Sequence, residues 1–206
     1  MEVMKLIVFG ATGKTGQHVW KHGLEQGHEV TAFTRSPVKI DPNAGARIAQ
    51  GDVTDPDAVA EAIASHDAAI VALGPNGLRD RTTLTTGTRN VVDGMKRHGV
   101  TRLVVLSAAG AGESWGQVPL LSRVAFRTFL RTILAEHTAQ EAIARESPLD
   151  WTLVRAGVLN DEPASGDVVA TNKGKITRIG RADLGAFLVR EVTEGAYSRQ
   201  AISVTS

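Results

Sequence analysis

The chain has 206 residues, with 23 Lys and Arg against 22 Asp and Glu, a formal charge of +1 and no cysteine. That length fits one ordinary domain around a single core, without comfortable room for a second catalytic domain. The even charge supplies no global field for nucleic acid or an anionic membrane, and the missing cysteines exclude disulfides, thiol catalysis and thiolate metal sites. A strand-like segment opens the chain without a signal-peptide pattern, and no apolar run approaches the roughly 20 residues of a membrane span. A soluble cytoplasmic protein with neither membrane nor nucleic-acid partners is expected.

Lys5 to Phe9 is a short apolar run that leads into Gly10-Ala11-Thr12-Gly13-Lys14-Thr15-Gly16. A buried strand followed by glycines at every third position and then a helix is the wiring of a phosphate site. Gly10 turns the chain, Gly13 lets a pyrophosphate approach the main chain, and Gly16 lets the helix pack on its strand. The unpaired N–H groups and dipole at the helix start then face the anion, so Gly10, Thr12, Gly13, Lys14, Thr15 and Gly16 form the expected cradle. A nucleotide-kinase P-loop would need glycine where Val8 stands.

The expected first helix runs from Lys14 to Gln26 and stops at Gly27. Glu29 to Thr34 is the next strand, and it ends at Arg35-Ser36-Pro37 with Lys39 close by. A carboxylate at this strand end accepts from a ribose 2′-hydroxyl, whereas a guanidinium attracts a 2′-phosphate, so Arg35 favours NADP(H). Ala46 to Gln50 reads as the third strand, followed by Gly51-Asp52-Val53. Asp52 is placed to accept from an adenine amino group with Val53 against the ring, or to cap the helix Pro56 to Ala64, a role open equally to Thr54 or Asp55. The fourth strand, Asp67 to Ala72, breaks at Leu73-Gly74-Pro75, where Leu73 and Gly74 would lie beside the dinucleotide.

A helix is expected over Thr82 to His98 and a fifth strand over Arg102 to Ser107. The glycine-rich stretch Ala108 to Val118, containing Trp115, is long enough to wall or cover a substrate. The helical segment Pro119 to Ser147 has Leu121, Val124, Phe129, Ile133 and Leu134 as its apolar face. Arg123, Arg127 and Arg131 repeat along it as a basic stripe, read as a solvated face. A sixth strand spans Asp150 to Arg155, strand-like pieces lie at Val168 to Ala170 and Lys175 to Arg178, and a final helix from Arg181 to about Thr193 precedes a strand at Ala201 to Val204. Alternating strands and helices predict an α/β, single-domain Rossmann fold over residues 1–206, with a doubly wound, mainly parallel sheet flanked by helices on both faces. A small substrate-side region is expected from about 108–120 and 156–180.

Together, Gly10 to Gly16, Thr34-Arg35, Gly51-Asp52-Val53, Leu73-Gly74, Asp150 to Arg155 and Arg181-Ala182-Asp183-Leu184 resemble the atypical short-chain dehydrogenases/reductases with NmrA-like NAD(P)-binding domains. Within them the chain is most similar to the biliverdin-IXβ reductase/flavin reductase group, over nearly its whole length. The resemblance implies NADPH-dependent hydride transfer to a flavin, a biliverdin-type tetrapyrrole or a quinone at a shallow, tolerant site. It also puts the active-site serine at Ser107, facing the nicotinamide and able to hydrogen-bond a substrate oxygen. Two positions depart from the pattern: Gly157 stands where the biliverdin reductases have histidine, and Pro148 where many relatives have glycine.

The usual tyrosine and lysine acid pair is missing, since the single tyrosine, Tyr197, is followed four residues later by Ala201. Conjugated acceptors delocalise the incoming charge and tolerate a weakly placed acid, so Ser107 is expected to orient nicotinamide or acceptor rather than to donate an essential proton. His137 could be a proton source on the long helix, but an isolated histidine there reads rather as a surface residue of a basic helix. The other histidines show no ligand spacing, so no metal is expected. A non-catalytic NADP(H) redox sensor of NmrA type is the competing class, a sugar-nucleotide epimerase would need the absent pair and a larger C-terminal region, and monomer and dimer stay equally open. Trp115, Phe126 and Phe129 suit either a pocket or a subunit contact.

Overall fold

A computed structural model describes residues 2–75, 77, 82–119 and 130–206. Its centre is an eight-stranded sheet in the order β3-β2-β1-β4-β5-β6-β10-β8. These strands are β1 Lys5–Phe9, β2 Glu29–Thr34, β3 Arg47–Gln50, β4 Ala68–Val71, β5 Arg102–Ala108, β6 Asp150–Ala156, β8 Val169–Thr171 and β10 Gln200–Thr205. Every pairing is parallel except the edge pair of β10 with β8. The other two strands, β7 Val158–Asn160 and β9 Arg178–Gly180, pair with each other outside the main sheet.

Parallel strands need helical crossovers, and those here cover both faces: α1 Lys14–Glu25 and α5 Arg181–Glu194 on one, α2 Pro56–Ile63, α3 Thr83–His98 and α4 Arg131–Glu146 on the other. Period-two alternation divides the core. Leu6 and Val8 of β1 join Trp20, Leu184 and Leu188 on the first face, while Ile7 and Phe9 join Val59, Ile63, Val91 and Ile143 on the second. Strand order reverses between β1 and β4, so the crevice at the carboxyl edge opens where Gly10 follows Phe9 and Ala72 follows Val71.

Most predicted elements recur with ends shifted by a residue or two, as fraying termini usually are, but the helix expected from Pro119 starts at Arg131 among the described residues, and the piece expected at Lys175 to Arg178 lies at Arg178–Gly180. Two further differences lie on the substrate side. Gly112–Gln117 winds into a short 3₁₀ helix inside the expected loop, and Val158 to Asn160 forms a strand, β7, where none was expected. With three residues, β7 offers no hydrophobic period for a sequence reading to find. Arg131 is exposed, as the solvated reading of the basic stripe expects, whereas Leu121, Arg123, Val124, Phe126, Arg127 and Phe129 lie outside the described residues.

Candidate active site

Gly10 adopts φ +84°, and a Cβ there would sit 2.4 Å from the Ala72 carbonyl oxygen. A Cβ on Gly16 would sit 2.1 Å from the Gly10 oxygen. Glycine is therefore required at both places, to turn the chain and to bring α1 against the turn. Gly13 N–H closes the turn on the Gly10 carbonyl at 2.9 Å, and the Trp20 indole N–H holds the Ala11 carbonyl from behind at 3.2 Å. Gly13 is also the N-cap of α1, which no side chain caps, leaving its first N–H groups directed outward. α2 contrasts with it, because the Asp55 carboxylate accepts from the Asp57 and Ala58 N–H groups. Of the three candidates for that cap, the structure selects Asp55.

A cleft of about 460 Å³ runs from this turn over the ends of β2 and β4. Gly10, Thr12 and Gly13 line it together with Arg35, Ser36, Lys39, Asp52, Val53, Leu73 and Gly74. Arg35 stands exposed at its edge, 3.8 Å from Asp52, the single carboxylate among the described lining residues. The first Asp52 oxygen accepts from the Thr54 N–H and hydroxyl at 2.9 and 2.8 Å, and these bonds hold its carboxyl below the usual range. Asn90 donates to the Val53 carbonyl at 2.9 Å and fixes the loop. A Cβ on Gly74 would have no atom within 4 Å, so this backbone borders open space.

Past Gly13 and Gly74 the cleft continues into a second cavity of about 350 Å³ that includes Lys14, Thr15, Ser107, His137, Gly157 and Arg181. Lys14 and Arg181 share the Asp161 carboxylate at 2.9 and 2.6 Å. The Ser107 hydroxyl donates to Glu141 Oε1 at 2.7 Å, and Arg155 Nε donates to the same oxygen at 2.8 Å. A second Arg155 nitrogen reaches Glu141 Oε2 at 2.5 Å and Glu113 Oε2 at 2.7 Å. Arg155 and Glu141 are each only 2% exposed, so neither charge is tolerable without the other. Burial works to lower the Arg155 pKa, but the two carboxylates outweigh it and raise it, while the Arg155 hydrogen bond holds Glu113 down at about 2. With its proton committed to a carboxylate, Ser107 turns oxygen lone pairs rather than an O–H toward the cavity.

A third cavity, about 690 Å³, shares Ala108, Ala156, Gly157 and Leu159 with the second. Val118, Leu130, Ile133, Leu134, Val158 and Ile176 make its described lining strongly apolar, and among the described residues Arg178 is the one charged lining residue. A Cβ on Gly157 would lie 2.9 Å from the Thr177 carbonyl oxygen. The backbone entering β9 therefore occupies the space a side chain would need at the position matched to histidine in the biliverdin reductases.

The sequence reading is reversed at His137. It is 6% exposed, with Nδ1 3.1 Å from Gln140 Oε1, and burial lowers its pKa. Glu113, Glu141 and Arg155 were not singled out from sequence. The available signal was position: His137, Gln140 and Glu141 share the helical stripe of Leu134 and Ala144, so polar groups face inward. Trp115 is half-buried on the 3₁₀ helix and lines none of these three cavities. Tyr197 stacks on Phe187 at a centroid distance of 6.2 Å, and its carbonyl accepts from Thr152 near the start of β6, the edge opposite Ser107.

A family profile described as NAD(P)H-binding matches residues 10–195. The chain belongs to that family, and its doubly wound, mainly parallel sheet is a Rossmann-like fold. An uncharacterised chloroplastic protein of Arabidopsis thaliana, At2g34460, is 30% identical over 184 residues, 82% of this chain and 64% of that protein's own length. The anaerobillin reductase ChuY of Escherichia coli O157:H7 superposes with a TM-score of 0.83 at 24% identity, covering 98% of this chain and 96% of that one. A short-chain dehydrogenase/reductase of Veillonella parvula solved with NADP gives 0.85 at 18% identity, covering 100% and 95%. Among the described residues, no helix is long and apolar enough to cross a membrane.

Proposed function

We propose that this protein is an NADPH-dependent reductase passing hydride to a conjugated, largely apolar acceptor such as a flavin, a linear tetrapyrrole or a quinone. The observation that carries the reading is the shared lining of the three cavities, which runs from the glycine turn past Ser107 into an apolar chamber. A dinucleotide laid along the first two would bring its nicotinamide to the mouth of the third. The reductase and NADP-bound neighbours with this fold support that placement.

In this reading Arg35, with Ser36 and Lys39, holds the 2′-phosphate, and the uncapped start of α1 with Lys14 and Thr15 holds the pyrophosphate. Val53 and Leu73 pack on the adenine side, with the second Asp52 oxygen available to its amino group. Ser107 accepts from the nicotinamide carboxamide N–H and so fixes which ring face meets the acceptor, a positioning role. Gly157 forms part of the boundary between nicotinamide and acceptor, and Trp115 supports the outer side of that chamber through its 3₁₀ helix. A sensor that only binds the dinucleotide has no use for the apolar chamber, which favours the reductase.

The test is NADPH oxidation by purified protein against FMN, riboflavin, small quinones and biliverdin, with NADH in parallel. Acceptor-dependent turnover preferring NADPH is expected. Tight NADPH binding without turnover of any acceptor would overturn the reductase in favour of the sensor.

A further inference from the structure

Resting on the reductase reading, we propose that His137 is the proton donor to the acceptor, with Gln140 and Thr88 fixing its ring. Reduction by hydride leaves a negative charge to be neutralised, and the hydroxyl bordering the site does not supply the proton. The Ser107 hydroxyl donates its hydrogen bond to Glu141, and Tyr197 lies at the opposite edge of the sheet. His137 lines the same cavity as Ser107.

The ring is oriented from behind. Gln140 Nε2 donates to Thr88 Oγ1 at 2.9 Å, which leaves Gln140 Oε1 to accept from His137 Nδ1–H at 3.1 Å, and Gln140 and Thr88 are both 0% exposed. Nε2 is then the nitrogen that takes up and releases the catalytic proton. It makes no hydrogen bond among the described residues, yet it is not among their sealed, unpartnered polar atoms, which are His28 Nε2 and Trp151 Nε1. His137 borders the cavity, and in this proposal Nε2 is on that side.

The charged groups named near the ring and on its cavity come from four elements and one loop. Glu141, one turn along α4, is neutralised by Arg155 of β6, and Lys14 of α1 and Arg181 of α5 on the same cavity share Asp161, beyond the end of β7. Glu136 of α4 is occupied by the Thr85 hydroxyl of α3 at 3.2 Å. Burial lowers the His137 pKa below 6.5, while Gln140 and Glu141 partly offset it, so the imidazolium that donates is the acid form of the site.

In the step, a hydride leaves C4 of the dihydronicotinamide for an electrophilic atom of the acceptor. The His137 Nε2–H bond breaks, and its proton goes to the acceptor heteroatom that gains charge. The dinucleotide is oxidised by two electrons, the acceptor is reduced by two, and the neutral imidazole is reprotonated by water.

The experiment compares the pH dependence of NADPH-driven acceptor reduction in wild type, His137→Gln and His137→Ala, alongside NADPH titration and thermal melting of each. Wild-type kcat is expected to fall as pH rises through an apparent pKa below 6.5. His137→Gln should be slower by about 100-fold at the acid end, flat across that range and unchanged in NADPH affinity, and added imidazole should restore rate to His137→Ala. A His137→Gln enzyme with the wild-type rate and profile would overturn the proposal and leave the reductase standing. A folded, NADPH-binding wild type that turns over no acceptor would instead overturn the reductase reading, and this proposal with it. If both variants fail to fold, the wild-type profile decides: a rate flat through that range overturns the proposal, and the fall supports it.

Discussion

The Arg35 guanidinium is exposed at the cleft edge, and in the protein alone its nearest carboxylate is Asp52 at 3.8 Å. A pair that long and open is worth little, so a 2′-phosphate can take the guanidinium without breaking a strong contact. Replacing Arg35 by Ala is expected to remove about 1.5–3 kcal/mol of charge-assisted hydrogen bonding, about 10- to 150-fold in the NADPH Kd, with the NADH Kd unchanged. Parallel titrations of both dinucleotides check this, and equal losses for both would place Arg35 outside the phosphate subsite. Ser107→Ala removes one neutral acceptor from the nicotinamide and is expected to slow turnover by no more than about tenfold. Complete loss of turnover with cofactor and acceptor still bound would show the role to be larger.

Arg35 and Ser107 were legible in the sequence because each follows an apolar run at a strand end, where α/β folds place ligand contacts. The Glu141, Arg155 and His137 cluster was hidden because α4 and β6 meet only in the fold. A histidine on a helix with charged neighbours looks solvated until the packing face is known.

Among the elements, α1 carries the clearest division of labour. Its start lacks a side-chain cap, and its packing against the turn depends on Gly16, where a Cβ would overlap the Gly10 carbonyl at 2.1 Å. Because that neighbour is backbone, the clash is relieved only by tilting the helix or opening the turn. Gly16→Ala is expected to cost about 1–3 kcal/mol of stability by urea titration and to abolish measurable NADPH binding. Unchanged binding would mean that the close approach is not what shapes the cradle.

Elements with strong periodicity were readable in advance, including β1, α1, β5, β6 and α5. Of the short pieces, β8 was read to within one residue and β9 was expected about three residues early, whereas β7 was not seen; β7 and β9 hold each other outside the main sheet, and β8 is fixed as an antiparallel edge by β10. Their existence depends on partners distant in sequence rather than on local pattern.

On the scale of the molecule, two buried arginine–glutamate pairs mark opposite edges of the sheet. Arg102 reaches Glu191 at 2.7 Å and also donates to the Val192 and Asp150 carbonyls, tying α5 to the amino-terminal edge far from the cavities. Arg155 and Glu141 sit at the carboxyl edge beneath Ser107. Glu191→Ala leaves the buried Arg102 only the longer, partly exposed pair with Asp150 at 3.5 Å and is expected to cost about 3 kcal/mol in urea unfolding, with KM for NADPH unchanged in the folded fraction.

Acid acts on the other edge. Glu113 has its pKa drawn from 4.5 to about 2 by Arg155, so between these values the unfolded state binds more protons than the native one. Its contribution is complete above about pH 4.5 and fades as pH falls toward about 2, by an amount reduced because the carboxylate is largely exposed. Glu113→Gln should therefore flatten stability against pH within that window, read by melting at a series of pH values.

The central claim is direct hydride transfer from NADPH to an acceptor seated in the apolar chamber. Single-turnover oxidation of NADPH, unlabelled and deuterated at the transferred C4 position, tests it most directly, with one acceptor in excess. The account predicts oxidation that depends on the acceptor and runs slower with the deuterated cofactor. Bound NADPH that is oxidised no faster with acceptor than without it would contradict the account and leave a dinucleotide-binding protein that does not turn over.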